Sequence, residues 1–261
     1  MRRRLDQELV RRGLTTSRTE ARDAIMAGRV TVAGRPAMKP GGLIAAGEPV
    51  SVEGEREAFA SRGGRKLRAA LDRFAVVIEG RRCLDAGAST GGFTDVLLRA
   101  GASHVTAVDV GYGQLAWKLR TDARVTVLER TNVRDLTPED LAGPAEVIVA
   151  DLSFISLRTV LPALLSVAAA DADLILLVKP QFEVGRGRVG RGGVVSDPGH
   201  WVAAIEGVAE ACSALGAGPQ DVVASPIRGP AGNVEFLLHA RRGAEARVPD
   251  VSGAIRGAPE R

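Results

Sequence analysis

A chain of 261 residues, 45% hydrophobic and 25% charged, can bury a sizeable core, which excludes wholesale disorder and suits one large domain with a small companion. The net charge of +4 is unevenly placed: through Arg65 there are 13 basic and 8 acidic residues, against 22 and 23 in the remainder, so the surplus positive charge lies where a phosphate-binding segment would carry it. Cys83 and Cys212 stand far apart in apolar segments and match no metal-ligand spacing, so reduced thiols in a cytoplasmic protein are expected, with no metal.

The first residues, "MRRRLDQELVRRG", form a charged cluster with no apolar stretch or small-residue cleavage site behind it, so no export signal is expected. Leu5, Leu9 and Val10 share a helical face, and Gly13 stands where that helix would stop. A second helix opens on a capping box, Ser17 to Glu20, buries Ala21, Ala24 and Ile25, and ends at Gly28. "RVTVAGRPA" then reads as strand, glycine turn, strand, and "EPVSVE" as another short strand. With its motif "SRTEARDAIMAGRVTVAG", the segment 1–60 resembles an S4-type RNA-binding domain, a small α+β unit. That resemblance implies that Arg4, Arg18 and Lys39 face structured RNA, with Arg22 as a further candidate.

A linker is expected at about 55–64, where "GEREAFASRGGRK" mixes charge with paired glycines, followed by a helix from about Lys66 to Phe74. Through 65–245 apolar strands alternate with helical patterns: "RRCLDAG", "HVTAVDV", "RVTVLER", "AEVIVAD" and "DLILLVKP". Such alternation is the signature of an α/β fold with a mostly parallel sheet covered on both faces. The most apolar span, "LPALLSVAAADADLILLV", is broken by Asp171 and Asp173, so no membrane segment is expected. "DVVASPIRGPAGNVEFLLHA" offers two strands joined by a turn too short for a crossover helix, hence an antiparallel closing strand. Residues 246–261 read as a disordered tail.

"CLDAGASTGGFTDVLLRAG" sets Asp85, Gly87, Ser89, Gly91 and Gly92 between the first strand of this region and a helix, with Phe93 and Thr94 at the helix start. Glycines there let the backbone approach a ligand at the carboxyl edge of the sheet. The spacing is not that of a dinucleotide fingerprint; it resembles the S-adenosylmethionine loop of class I methyltransferases. Asp109, 24 residues after Asp85 at the end of the next strand, suits the ribose hydroxyls of a bound nucleoside. Asn132, in "ERTNVRDL", is expected to border the adenine.

Asp151 in "IVADLSFISL" and Lys179 in "ILLVKPQFE" end the fourth and fifth strands, Lys66 precedes the first, and Glu235 lies on the last, in "GNVEFLL". This Lys-Asp-Lys-Glu order resembles that of the FtsJ-like ribose 2′-O-methyltransferases, and two of only four lysines in the chain occupy it. From about Leu5 to Ala240 the whole is similar to the TlyA family of ribosomal RNA 2′-O-methyltransferases, which join an S4 domain to such a fold; "DVGYGQLAWKLR", "LVKPQFEVG" and "GPAGNVEF" carry the likeness. The resemblance implies a Rossmann-like class I fold, S-adenosyl-L-methionine as cofactor, and a cytidine 2′-hydroxyl of 16S ribosomal RNA and, in two-target members, another of 23S ribosomal RNA, within ribosomal subunits, as target. It implies catalytic roles for Lys66, Asp151, Lys179 and Glu235, with Asp151 also facing the methyl donor.

A ribose hydroxyl is a poor nucleophile, so a base must take its proton while the oxygen is held in line with the methyl group. Lysine can serve when uncharged, whereas arginine stays protonated; a lysine at the end of a buried strand in an arginine-rich chain is thereby explained, with Lys179 as base. Lys66 is expected to position the ribose and repel the proton on Lys179, Asp151 to orient Lys179, and Glu235 to anchor Lys66 or the ribose. The long "PQFEVGRGRVGRGGVVSDPGHW" that follows offers Arg186, Arg188 and Arg191 to phosphates, and Phe154 and Phe182 could stack on the target base. Relatives of this family also carry a haemolysin label, so a membrane-active protein is a competing reading; a non-catalytic RNA binder on a methyltransferase fold and a small-molecule methyltransferase are others.

Overall fold

The structure, a computed structural model, describes residues 2–15, 18–26, 28–53 and 59–260. The chain divides into two compact units, residues 1–62 and 63–261.

In the first unit a short strand, β1 (Arg2–Arg4), leads into α1 (Leu5–Arg11), α2 (Arg18–Met26), β2 (Val30–Val32), β3 (Arg35–Pro36), β4 (Leu43–Ala45) and β5 (Val50–Val52). The apolar stripe read from the sequence is the core: Leu5, Leu9, Ala21, Ala24 and Ile25 pack with Val30 and Ile44. Both helices stop as their glycines require. Gly13 and Gly28 take φ of +67° and +68°, and the amides of Leu14 and Arg29 reach back to the carbonyls of Leu9 and Ala24, the left-handed stop that a side chain would disfavour. Ala33 and Gly34 both have positive φ and close the tight β2–β3 hairpin, while β5 pairs with the other edge of β2. The antiparallel pair β1–β4 was not expected from the sequence. Ser17 lies outside the described residues.

In the second unit, α3 (Gly63–Phe74) begins three residues before the expected Lys66. The chain continues as β6 (Arg82–Ala86), α4 (Gly92–Arg99), β7 (His104–Asp109), α5 (Trp117–Arg120), β8 (Val125–Glu129), β9 (Ala145–Ala150), α6 (Leu157–Ser166), β10 (Ala168–Val178), α7 (Pro180–Glu183), α8 (Pro198–Ala214), β11 (Ala217–Ala224), β12 (Phe236–Arg242) and α9 (Val251–Arg256). The sheet order is β11-β12-β10-β9-β6-β7-β8. β6 to β10 run parallel, and β12 is antiparallel to both β10 and β11. Parallel strands need side chains buried on both faces, and the fully buried run Val147–Ala150 with Leu174, Leu176 and Phe236 supplies them.

The strand order reverses at β6, so loops after β6 and β9 diverge and leave a crevice at the carboxyl edge. Because β12 is antiparallel, its beginning lies at that same edge. Two differences from the sequence reading stand out. β10 starts at Ala168, five residues before the expected Asp173, with a register shift between those two against β9. Residues 246–261, expected as a disordered tail, instead carry α9: Asp250 caps it through the Gly253 amide (2.8 Å), Ala254 is buried, and the Arg228 guanidinium donates to the Pro259 carbonyl (2.7 Å).

Candidate active site

Four residues meet at the carboxyl edge. Lys66 comes from the first turn of α3, Asp151 and Lys179 stand immediately past β9 and β10, and Glu235 immediately precedes β12 rather than lying on it. Lys179 Nζ is 2.6 Å from Asp151 Oδ1, Lys66 Nζ is 3.7 Å from Asp151 Oδ2 and 2.6 Å from Glu235 Oε2. The result is a charge-alternating chain, Lys179–Asp151–Lys66–Glu235. Lys66, Lys179 and Glu235 are only 5%, 7% and 1% exposed, and charges buried to that degree persist only when paired. Of the two partners expected for Glu235, the structure gives Lys66. Lys179 Nζ also donates to Ser153 Oγ at 2.9 Å.

Beside this chain runs the glycine loop. Gly87 has φ +88°, and a Cβ there would stand 2.5 Å from the Asp151 carbonyl oxygen, so neither its backbone nor its surroundings admit a side chain. Gly91, at φ +93°, caps α4 with its Cα against Leu115 and Leu119. Ser89 is held in the left-handed region at φ +47°, its amide donating to Asp109 Oδ2 at 2.8 Å. The Gly111 amide donates to Asp109 Oδ1 at 2.7 Å. A small pocket opens here between Ala88, Ser89, Asp109, Gln114, Val127 and Glu129. Asp85 lies beneath the loop, fully buried; Thr94 Oγ1 donates to one carboxyl oxygen at 2.6 Å, and the other, Oδ1, has no hydrogen-bond partner among the described residues. Burial pushes its pKa up to about 7, with Asp151 and Asp109 adding to the rise.

Two residues expected at the cofactor carry structural contacts. Phe93 is buried among core side chains. The side chain of Asn132 accepts from the Arg134 amide at 3.1 Å and caps the short turn Val133–Asp135.

Toward solvent, Phe154 is 92% exposed at φ +65°, with its ring 5.4 Å from that of Phe182. The two border an open groove of roughly 500 Å³ that Ile155, Gln181 and Val189 also line. The Gly- and Arg-rich segment beyond is ordered by Asn233, which accepts from the Val195 amide and donates to the Gly193 carbonyl, both at 2.8 Å. Arg188 and Arg191 are exposed; the side chain of Arg186 lies outside the described residues.

In the first unit Arg4 forms two bonds of 3.0 Å to the buried Asp6, and Arg18 joins the same carboxylate at 3.2 Å. The Arg4 bond, ahead of that from Arg18, holds Asp6 down at about 2. The Arg4 guanidinium lies over Gly41, in the turn that Gly42 closes on the Lys39 carbonyl, so Arg4 and Arg18 share one carboxylate beside the turn that carries Lys39. Ser153, Glu183, Gln114 and Asn233 were missed by sequence reasoning. Each lies inside a quoted motif, but only the folded chain shows which side chains meet.

A family model described as FtsJ-like methyltransferase matches residues 59–242, and one described as S4 domain matches residues 3–50. Fold and site thus define an FtsJ-like methyltransferase carrying an S4 domain. The chain is 56% identical over 239 residues, 91% of its own length and 89% of the other's, to the 16S/23S rRNA (cytidine-2′-O)-methyltransferase TlyA of Mycobacterium tuberculosis, and it belongs to the TlyA family. It is 47% identical, over 90% of this chain and 84% of that one, to the Bacillus subtilis protein YqxC, which is named for rRNA methyl transfer. A solved structure from Streptococcus thermophilus that bears the name hemolysin superposes with a TM-score of 0.79 at 38% identity, covering 98% of this chain and 95% of that one. No helix among the described residues is long and apolar enough to cross a membrane.

Proposed function

We propose that the protein transfers a methyl group from S-adenosyl-L-methionine to the 2′-oxygen of a cytidine in ribosomal RNA, acting on ribosomal subunits in the cytoplasm. The observation that carries this reading is the chain Lys179–Asp151–Lys66–Glu235, set at the carboxyl edge against the Gly87 loop.

The site fits the methyl donor. Asp85 Oδ1, without a hydrogen-bond partner among the described residues, suits a cationic amine, the Gly87–Gly91 cradle admits close approach, and each Asp109 oxygen keeps a lone pair for a ribose hydroxyl. When bound, the donor supplies an electrophilic methyl group. Lys179, as the free amine, accepts the 2′-hydroxyl proton at Nζ while that oxygen takes the methyl group. Asp151 fixes the amine through its 2.6 Å contact. Lys66, anchored by Glu235, presents a fixed positive charge where negative charge gathers on the ribose oxygen.

Arg4, Arg18 and Lys39 supply phosphate contacts that set register, Arg188 and Arg191 add positive charge beside the groove, and Phe154 with Phe182 offers aromatic faces to an unstacked base. Membrane lysis would leave the buried quartet without a use.

Mapping of 2′-O-methyl groups on ribosomal RNA from cells with and without the gene tests the assignment. Loss of a cytidine mark in 16S RNA, 23S RNA or both is expected. An unchanged methylation map would contradict it.

A further inference from the structure

We infer that Ser153 is a positioning residue for the methyl transfer, aiming the lone pair of Lys179 at the ribose hydroxyl; the inference rests on Lys179 being the base. A free amine has two N–H bonds and one lone pair in a tetrahedral arrangement. Asp151 Oδ1 at 2.6 Å and Ser153 Oγ at 2.9 Å are two acceptors for the two N–H bonds, which leaves the lone pair one remaining direction. After proton capture, the third N–H points along that same line. With one acceptor alone, the second N–H bond and the lone pair could exchange the two remaining tetrahedral directions, and the lone pair would have two places instead of one. A second carboxylate at position 153 would favour the ammonium form, which cannot act as a base. A hydroxyl accepts the bond without that charge.

Ser153 is itself exposed, so its place must come from its surroundings, and the structure holds it from both sides. On one, the Asp151 amide bonds to the Ala86 carbonyl at 3.0 Å. On the other, Phe154 occupies the left-handed region at φ +65°, a conformation that a bulky residue keeps only when neighbours impose it. Just beyond Phe154 the segment is tied down by Glu183, buried and four residues beyond Lys179. Its carboxylate accepts from Ser156 Oγ at 2.6 Å and from the Leu157 amide at 2.7 Å. Lys179–Ser153 and Glu183–Ser156 are therefore two rungs between the same two segments, and together they fix the register in which Lys179 meets its acceptors.

The test is single-turnover methylation by the full-length protein of ribosomal subunits that lack the mark, with donor and RNA affinities measured separately. Ser153→Ala is expected to slow the chemical step about 10- to 100-fold, the scale of a small misplacement at a reacting centre, with both affinities unchanged. Ser153→Thr, which keeps the acceptor, is expected to restore the rate to within a few-fold. Parental rate in Ser153→Ala with an inactive Lys179→Met protein would overturn the inference and leave the base assignment standing. An active Lys179→Met protein would overturn the base assignment itself. A defect in Ser153→Ala that threonine does not restore, or that appears as lost donor affinity, would overturn the positioning role.

Discussion

Gly87 and Asp151 face each other across the tips of β6 and β9 so closely that a Cβ on Gly87 would stand 2.5 Å from the Asp151 carbonyl oxygen. The loop proposed to cradle the methyl donor and the carboxylate that holds Lys179 are thus one packed unit. Gly87→Ala is expected to destabilise the protein by about 1–3 kcal/mol through overpacking. The left-handed φ of +88° at that position adds to the strain. Donor affinity and turnover should fall together, because the alanine displaces Asp151. Denaturant titration and calorimetric binding on one preparation would check both; full donor affinity in the variant would contradict this coupling.

Glu235 is the main counter-charge of Lys66 at 2.6 Å, since Asp151 stands farther off at 3.7 Å. Removing one member of a buried pair leaves the other charge stranded. Glu235→Ala is expected to cost about 3–5 kcal/mol of stability, and Glu235→Gln less, because the amide oxygen can still accept. Urea unfolding of the two variants against the parent measures this order.

Much of this was legible in the sequence because strand ends carry chemistry in such folds. The alternating apolar runs located β6 to β9, and the glycine spacings located the loop and both helix stops. What escaped depends on distant partners. Arg2–Arg4 looks like a solvated basic cluster and becomes a strand only because Leu43–Ala45 pairs with it. Gly63 and Gly64 look like linker, yet Gly64 is buried in the first turn of α3. The tail is ordered because Arg228, far upstream, donates to Pro259. Ser153 and Glu183 carry no distinguishing pattern of their own; their roles arise when the β9–α6 and β10–α7 connections come together.

Asp85 titrates at about 7 in the fold against an ordinary value of 3.8, because burial disfavours its charged form. The folded chain therefore keeps a proton that the unfolded chain releases above pH 4. The associated stability is whole below about pH 4 and is lost as pH rises through 7, with a slope of at most about 1.4 kcal/mol per pH unit. Thermal melts of the donor-free protein from pH 5 to 8 should show this fall beyond that of an Asp85→Asn variant. Parallel curves for the two proteins would contradict it.

Arg4 and Arg18, both drawn to Asp6, are expected to lie against phosphates. Arg4→Ala and Arg18→Ala should each weaken binding to ribosomal RNA and reduce the slope of log affinity against log salt by roughly 0.7–0.9. Filter binding between 50 and 200 mM salt, a range on the order of that over which phosphate contacts lose most of their strength, provides the readout. An unaltered slope would remove these residues from the interface.

The most direct measurement is the single-turnover rate of a Lys179→Arg protein on ribosomal subunits lacking the mark. Arginine keeps the charge and much of the length of lysine but cannot give up its proton, so methylation should fall by about 10²–10⁴ while donor and RNA still bind. A Lys179→Arg enzyme that methylates at the parental rate would show that no free amine at position 179 takes the ribose proton.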